Sequence, residues 1–466
     1  MAKSPQHTNT GSSRKWSRSY GASCLMLVGI VFLNALPTQA DPPPPVERVE
    51  IRTEGLYVNG KPFFPVGIGW VGHGHYSLPE AGEKGFNLAI THGQHPPRLN
   101  VESWRSDIDE AYANGMYAMA GVGNGVWEDL EVLEQIVLAC RDAPGLLVWE
   151  LEDEPNIRVS GPEGVPNVDL PYRVPPERFK PAYDLIKRLD PLHPVYINLG
   201  YGYLKDHQDY RDVADIHSGD VYPVPIYTVN HVAEYSDSVM KGAAGKLGWM
   251  WIQMAPVQGL DLLHKSNIPD RAPTIVEVRC MTYMAVTRGI SGVTYFAFHY
   301  REKGRDWWIN QSDPAYWSQW ADLTAELRLL TPYLLAPEAP GLVSEIIEGS
   351  KPSRRPTWDG SGELGYTALH LSLRQTDSGY FLIAVNGFNS PIKARFKVPV
   401  PDGGLAADGA SVRSEHRLVA VENGVFEDSF EPYAVHLYEI PFKVKFTGHP
   451  ATESIGWPRW QRRPRP

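Results

Sequence analysis

Residues 146–155 read LLVWELEDEP, an apolar run of strand length in which four carboxylates, Glu150, Glu152, Asp153 and Glu154, fall within five positions. Carboxylates are among the side chains least often fully buried, and burying one unpaired is costly or forces it to take up a proton. Either this segment is not a strand, or a site is built on it.

The surrounding pattern favours a strand. Similar apolar runs occur at 63–70, 86–93, 117–124, 194–201, 214–223, 246–256 and 292–300, and amphipathic helical patterns such as VESWRSDIDEAYANGM and PERFKPAYDLIKRLDP lie between most of them. Eight strands interleaved with helices over roughly 240 residues predict an α/β fold, a (β/α)8 TIM barrel. A doubly wound sheet also alternates, but no Gly-rich phosphate fingerprint follows the first strand. From about residue 340 the texture changes to short alternating runs (TALHLSLRQ, GYFLIAVNGF, KARFKVPV, YAVHLYEI) separated by Gly, Asp, Ser and Asn, the pattern of an antiparallel sandwich. The expected organisation is two N-terminal strands around an Asn59-Gly60 turn at 41–62, the barrel at 63–335, a smaller all-β sandwich at 340–446 and a disordered Pro/Arg-rich tail at 447–466.

Strand side chains alternate between faces. Trp149 and Leu151 are therefore expected under the helices, with Glu150, Glu152 and Glu154 in the lumen as a ladder with steps of about 6 to 7 Å. Only Glu154 then reaches the C-terminal mouth, where barrel active sites sit. Mutual repulsion and desolvation predict a raised pKa for at least one of the three, as a general acid requires. Glu150 and Glu152 read as structural groups neutralised by lumen partners such as His217.

The chain has 466 residues, 42% hydrophobic and 21% charged, with a formal net charge of -10 and a sequence pI near 5.9. This argues against a phosphate-binding surface and fits a neutral or weakly charged ligand. Arg14, Lys15 and Arg18 precede an apolar run from Cys24 to Leu36 and the small residues before Ala40, so residues 1–40 read as a signal peptide cleaved after Ala40. A run of roughly 13 residues is too short to span a bilayer as a helix. The chain is thus expected to be secreted or periplasmic, with a retained anchor as the alternative. Cys140 and Cys280, in helical patterns far apart in sequence, read as buried core thiols rather than a bridge.

A Trp-led fourth strand ending in Asp153-Glu154-Pro155 resembles the acid/base segment of clan A glycoside hydrolases, which usually reads Asn-Glu-Pro. VNGKPFFPVGIGW before the barrel, DVYP after strand six and PTIVEVRCMTYMAVTRGISGVTYF leading into strand eight are similar too, so the likeness covers roughly residues 47 to 335. The resemblance implies hydrolysis of O-glycosidic bonds in a poly- or oligosaccharide. Glu154 would be the proton donor, and Asp153 would stand where the family's Asn contacts a sugar hydroxyl.

It also implies a second carboxylate at the end of strand seven, but that position holds Gln253, and an amide cannot form the usual glycosyl ester. Two substitutes offer themselves. Asp220, in HSGDVYP, reads as a base for a water or as a hydrogen-bonding group of its loop. Glu277 reads as a catalytic carboxylate or, in Thr274-x-x-Glu277, as half of a capping box. Aromatic and histidine side chains at strand C-terminal ends suit sugar stacking and hydrogen bonding: Trp70, His92, Trp127, Tyr201, Tyr222, Trp251 and His299 join Asp153 and Gln253 as expected substrate contacts. His73-Gly-His75 and His92-x-x-His95 lack a supporting HExxH or cysteine cluster, so neither a metal nor another cofactor is expected. With its nucleophile replaced by Gln253, the chain also reads as a non-catalytic carbohydrate-binding protein on a glycosidase barrel.

Overall fold

The computed structural model describes residues 41–442, apart from the segments 70–77, 95–97, 160–168, 258–267, 303–304, 350–352, 357–362 and 401–407 and positions 201 and 414. The expected signal peptide and C-terminal tail lie outside the described residues.

A three-stranded antiparallel sheet, Val49–Arg52, Gly55–Val58 and Lys61–Phe63, leads into the barrel. Asn59 and Gly60 turn its second strand into its third with φ of 52° and 77°, the left-handed geometry that Asn-Gly adopts most readily. The Asn59 side chain accepts from the Glu47 and Arg48 amides and donates to the Pro45 carbonyl, tying the chain entry to this turn.

Eight parallel strands then close into a barrel: Val66–Ile68, Leu88–Thr91, Tyr117–Gly121, Leu146–Asp153, Val195–Leu199, Ile216–Val221, Leu247–Gln253 and Val293–Phe296. Each falls inside one of the apolar runs. Closure comes from the last strand pairing with the first, Val293 opposite Val66. Helices between the strands begin where the sequence offers caps: Asn100 accepts from the Glu102 amide, and Asp129 from the Glu131 and Val132 amides.

Two apolar layers follow from strand alternation. Leu88, Ile90, Tyr117, Met119, Tyr196, Ile216, Trp249 and Trp251 pack together as one core, which fills the lumen. Trp149, Leu151, Ile197, Ile252 and their neighbours form the other, against the helices. Cys140 and Cys280 are free and buried, as the helical patterns suggested.

Beyond the helix Pro314–Leu334 the chain forms antiparallel sheets. A three-stranded sheet (Val343–Glu348, Ile392–Lys397, Val425–Phe430) faces a five-stranded one (Leu369–Gln375, Gly379–Asn386, Val435–Pro441, Gly409–Val412, Arg417–Ala420). Phe396, Phe426 and Phe430 meet Leu382, Tyr438 and Ile440 in the sandwich core. The other face of the larger sheet is not solvated. Phe381, Ile383, Val385 and Leu437 join the barrel's outer core, and Phe381 lies 4.7 Å, ring to ring, from Tyr333. Burial on both faces explains why Gly379–Asn386 reads GYFLIAVN, nearly continuous in hydrophobicity rather than alternating.

Because that face is shared, Phe381→Ala is expected to cost about 3–5 kcal/mol and to lower the stability of barrel and sandwich in one transition. Urea unfolding followed by tryptophan fluorescence and circular dichroism checks this. Two separate transitions with an unchanged barrel midpoint would contradict the shared core.

Candidate active site

Trp149 turns outward as expected, its Nε1 donating to Asp190 Oδ2 at 2.8 Å. Glu150 turns into the lumen, 3% exposed, opposite Tyr196. Its Oε2 lies 3.8 Å from His92 Nδ1. Burial, and then the charges of Asp153 and Glu152, push its carboxyl well above the ordinary carboxylate range.

The expected ladder ends there. Glu150 is opposite Tyr196, but Asp153 is opposite Asn198, so the fourth strand spends three steps where the fifth spends two. The extra residue is a β-bulge, which disrupts the alternation. Glu152 leaves the lumen series: its Oε2 accepts from Trp127 Nε1 at 2.8 Å, and its Oε1 from the Asn124 and Asp153 amides at 3.3 and 3.1 Å. It pins the loop after strand three. Trp127, expected at the substrate, is buried against Phe179 at 4.3 Å and serves this anchor. His217 is no lumen partner either. It pairs in register with Ile197, which packs under the helices, and its ring is 6.0 Å from that of His207. Burial lowers its pKa to about 4.

The bulge delivers Asp153 and Glu154 together to the mouth. Asn198 holds both: its Nδ2 donates to Asp153 Oδ1 at 2.9 Å, and its carbonyl accepts from the Glu154 amide at 3.0 Å. Arg173 donates to the carbonyls of Asp153 and Glu154 at 2.8 and 3.1 Å. Glu154 has φ of 47°, in the left-handed region, and its carboxyl lies across Gly200. A Cβ there would meet Glu154 Oε1 at 2.8 Å, so a larger residue would displace the carboxyl from this position. Behind the site, Asn156 bonds the Gly200 backbone through both amide atoms and, with Arg158, holds buried Asp206.

Asp220, 8% exposed, ends strand six opposite Trp251. Burial, and then the charges of Glu154 and Asp153, push Asp220 well above the ordinary range. Asp153, which keeps solvent-facing surface, is pushed up to about 7 by desolvation of its carboxyl and then by Glu154, against the opposing effects of Asn198 and Arg173. Tyr222 stacks on Phe296 at 5.2 Å, and burial, then the charges of Asp220 and Glu154, raise its phenol.

Other expected contacts are spent elsewhere. Gln253 is 0% exposed. Its amide donates to the Val224 and Ala255 carbonyls and accepts from the Val224 amide, clamping the loop after strand six. Trp251 lies in the lumen core with its Nε1 on Tyr196 Oη at 2.7 Å. His299 contacts Asp306 at 2.5 Å and stacks on Trp308 at 3.9 Å. His92 remains at the mouth, partly exposed. Trp70 and Tyr201 lie outside the described residues. Asn198 was not singled out from sequence, although it is the one polar residue in the run VYINL.

Glu277 completes the capping box with Thr274 and pairs with Arg271 through both oxygens at 2.7 and 2.8 Å. Burial acts to raise its carboxyl, but Arg271 and Thr274 outweigh it and hold the pKa below the usual range. A lowered folded-state pKa stabilises above the unfolded value and is lost as the pH falls through the folded one. Glu277→Ala is therefore expected to cost about 1 kcal/mol or more at about pH 7, and less at about pH 3, by chemical denaturation. Loss of activity with stability unchanged would return Glu277 to the catalytic candidates.

No protein-family model and no curated protein sequence matches the chain. Among solved structures, a β-galactosidase from Bacillus circulans sp. alkalophilus is similar to it with a TM-score of 0.53 at 9% identity, over 81% of this chain and 99% of that one. An α-amylase from Anoxybacillus gives a TM-score of 0.47 at 11% identity, over 79% and 89%. AmyP in complex with maltose gives 0.48 at 10% identity, over 81% and 93%. At such identities the likeness is one of fold, and the shared fold is a (β/α)8 barrel.

Proposed function

We propose that this chain is an exported glycoside hydrolase acting on a poly- or oligosaccharide, with Glu154 and Asp220 as its acid/base pair. The observation that supports this best is that Glu154 and the buried Asp220 stand at the C-terminal mouth of the barrel, near enough for the Glu154 charge to raise the Asp220 carboxyl. Glycosidase carboxyls stand about 5–5.5 Å apart for retention and about 6.5–9.5 Å apart for inversion. The Glu154–Asp220 separation in a substrate complex therefore decides between the two outcomes. Glu154 gives a proton to the leaving glycosidic oxygen as its bond to the anomeric carbon breaks, and ionised Asp220 takes a proton from the water whose oxygen bonds to that carbon. Asp153, fixed by Asn198, accepts a hydrogen bond from a sugar hydroxyl. Export rests on residues 1–40, and an N-terminus at Asp41 in the mature chain is its test.

A second reading is favoured by Gln253, whose amide is wholly engaged by backbone and leaves strand seven without a carboxylate at its end. On that reading the mouth binds carbohydrate without cleaving it. Calorimetry and reducing-end assays over one glycan panel separate the two.

Glu154→Gln and Asp220→Asn are each expected to lower kcat by about 10²–10⁴ with the fold retained. Hydrolysis at the wild-type rate by either variant would remove that residue from the mechanism. Stability should move the other way. Asp220 has a raised folded-state pKa, so its contribution is present below the unfolded value and lost as the pH rises through the folded one. Asp220→Asn should therefore gain on the wild type in thermal melts taken from about pH 5 to about pH 9.

A further inference from the structure

The acid/base reading leaves part of the site unused. Glu150 Oε2, Asn198 Oδ1 and Asp220 Oδ1 are buried oxygens with no hydrogen-bond partner, on side chains 3%, 2% and 8% exposed. They belong to strands four, five and six, which are adjacent in the barrel. Asn198 donates through Nδ2 to Asp153 and leaves its Oδ1 without a partner. Asp153 and Glu154 lie on the same wall, held by the same asparagine. Arg173 is turned to the carbonyl oxygens of Asp153 and Glu154.

The wall is therefore rich in buried oxygens that can accept. Among the described residues no group of His, Cys, Asp and Glu has the arrangement to hold a metal ion. A protonated amine supplies what the wall lacks, since it carries three donors, a positive charge and no acceptor.

We infer that the mouth takes a sugar bearing a free amino group, seated on Asp153 and Glu154 beside the oxygens of Asn198 and Asp220. This deepens the carbohydrate reading and rests on it. It also has a consequence that a neutral sugar does not share. A cation at the wall favours the ionised carboxyls, so binding releases protons from groups that burial and mutual repulsion keep protonated.

The test is titration of the full mature chain with methyl glycosides of glucose and galactose, their 2-amino-2-deoxy and 2-acetamido counterparts, and their uronic acids. Binding is read by ligand-observed NMR, and proton release by calorimetry in buffers of different ionisation enthalpy. The amino sugar is expected to bind about tenfold or more tighter than its hydroxyl counterpart, with net proton release. In Asp153→Asn the ratio of the two affinities should fall. Equal or tighter binding of the hydroxyl, acetamido or uronic sugar overturns the amine inference while the carbohydrate reading stands. Failure of every glycoside to bind overturns both.

Discussion

The site depends on one extra residue in the fourth barrel strand. Without the bulge between Glu150 and Asp153, simple alternation would send Asp153 outward and leave Glu154 alone at the lumen's end. With it, Glu152 turns to the loop after strand three, and Asp153 takes the position opposite Asn198. Asn198 stabilises that slipped register by bonding Asp153 through its side chain and Glu154 through its backbone. The positive φ of Glu154 then lays its carboxyl over Gly200 toward Asp220.

A wall of desolvated carboxyls opposes folding, because buried ionised groups lose hydration and repel one another. The surrounding structure offsets this with groups that leave nothing to chance. Arg158 and Asp206 form a buried ion pair, 1% and 0% exposed, joined by Asn156 and Tyr172. That network fixes the turn through Gly200 and, with it, the seat of Glu154. The sandwich contributes as well. Its larger sheet is part of the barrel's own core, and Arg279 and Arg374 reach across to carbonyls on the opposite side of the joint.

The seventh strand shows how one residue type admits two uses. At its end Gln253 fills the place where a clan A enzyme would carry its nucleophile, yet every amide group is taken by the backbone of the neighbouring loop. An ionised carboxylate could not donate to the Val224 and Ala255 carbonyls, so this clamp requires an amide. The same loop begins at Asp220 and Tyr222. Gln253 thus holds in place the loop that follows Asp220.

The strand count, the barrel and the appended sheets were legible in the sequence, because apolar runs of strand length and helical periodicity are local signals that survive any tertiary arrangement. So was Glu154 at a strand end, and so was the capping box of Glu277, which depends on four consecutive residues. The burial of Trp127 and Gln253, the outward turn of His217 and the role of Asn198 were not legible. A bulge changes faces without changing composition, and a hydrogen bond between residues 45 positions apart has no sequence period. Sequence by itself determined which carboxylates were available and on which strands. Only the tertiary structure decided which of them meet, because one slipped residue reverses the face of every side chain beyond it.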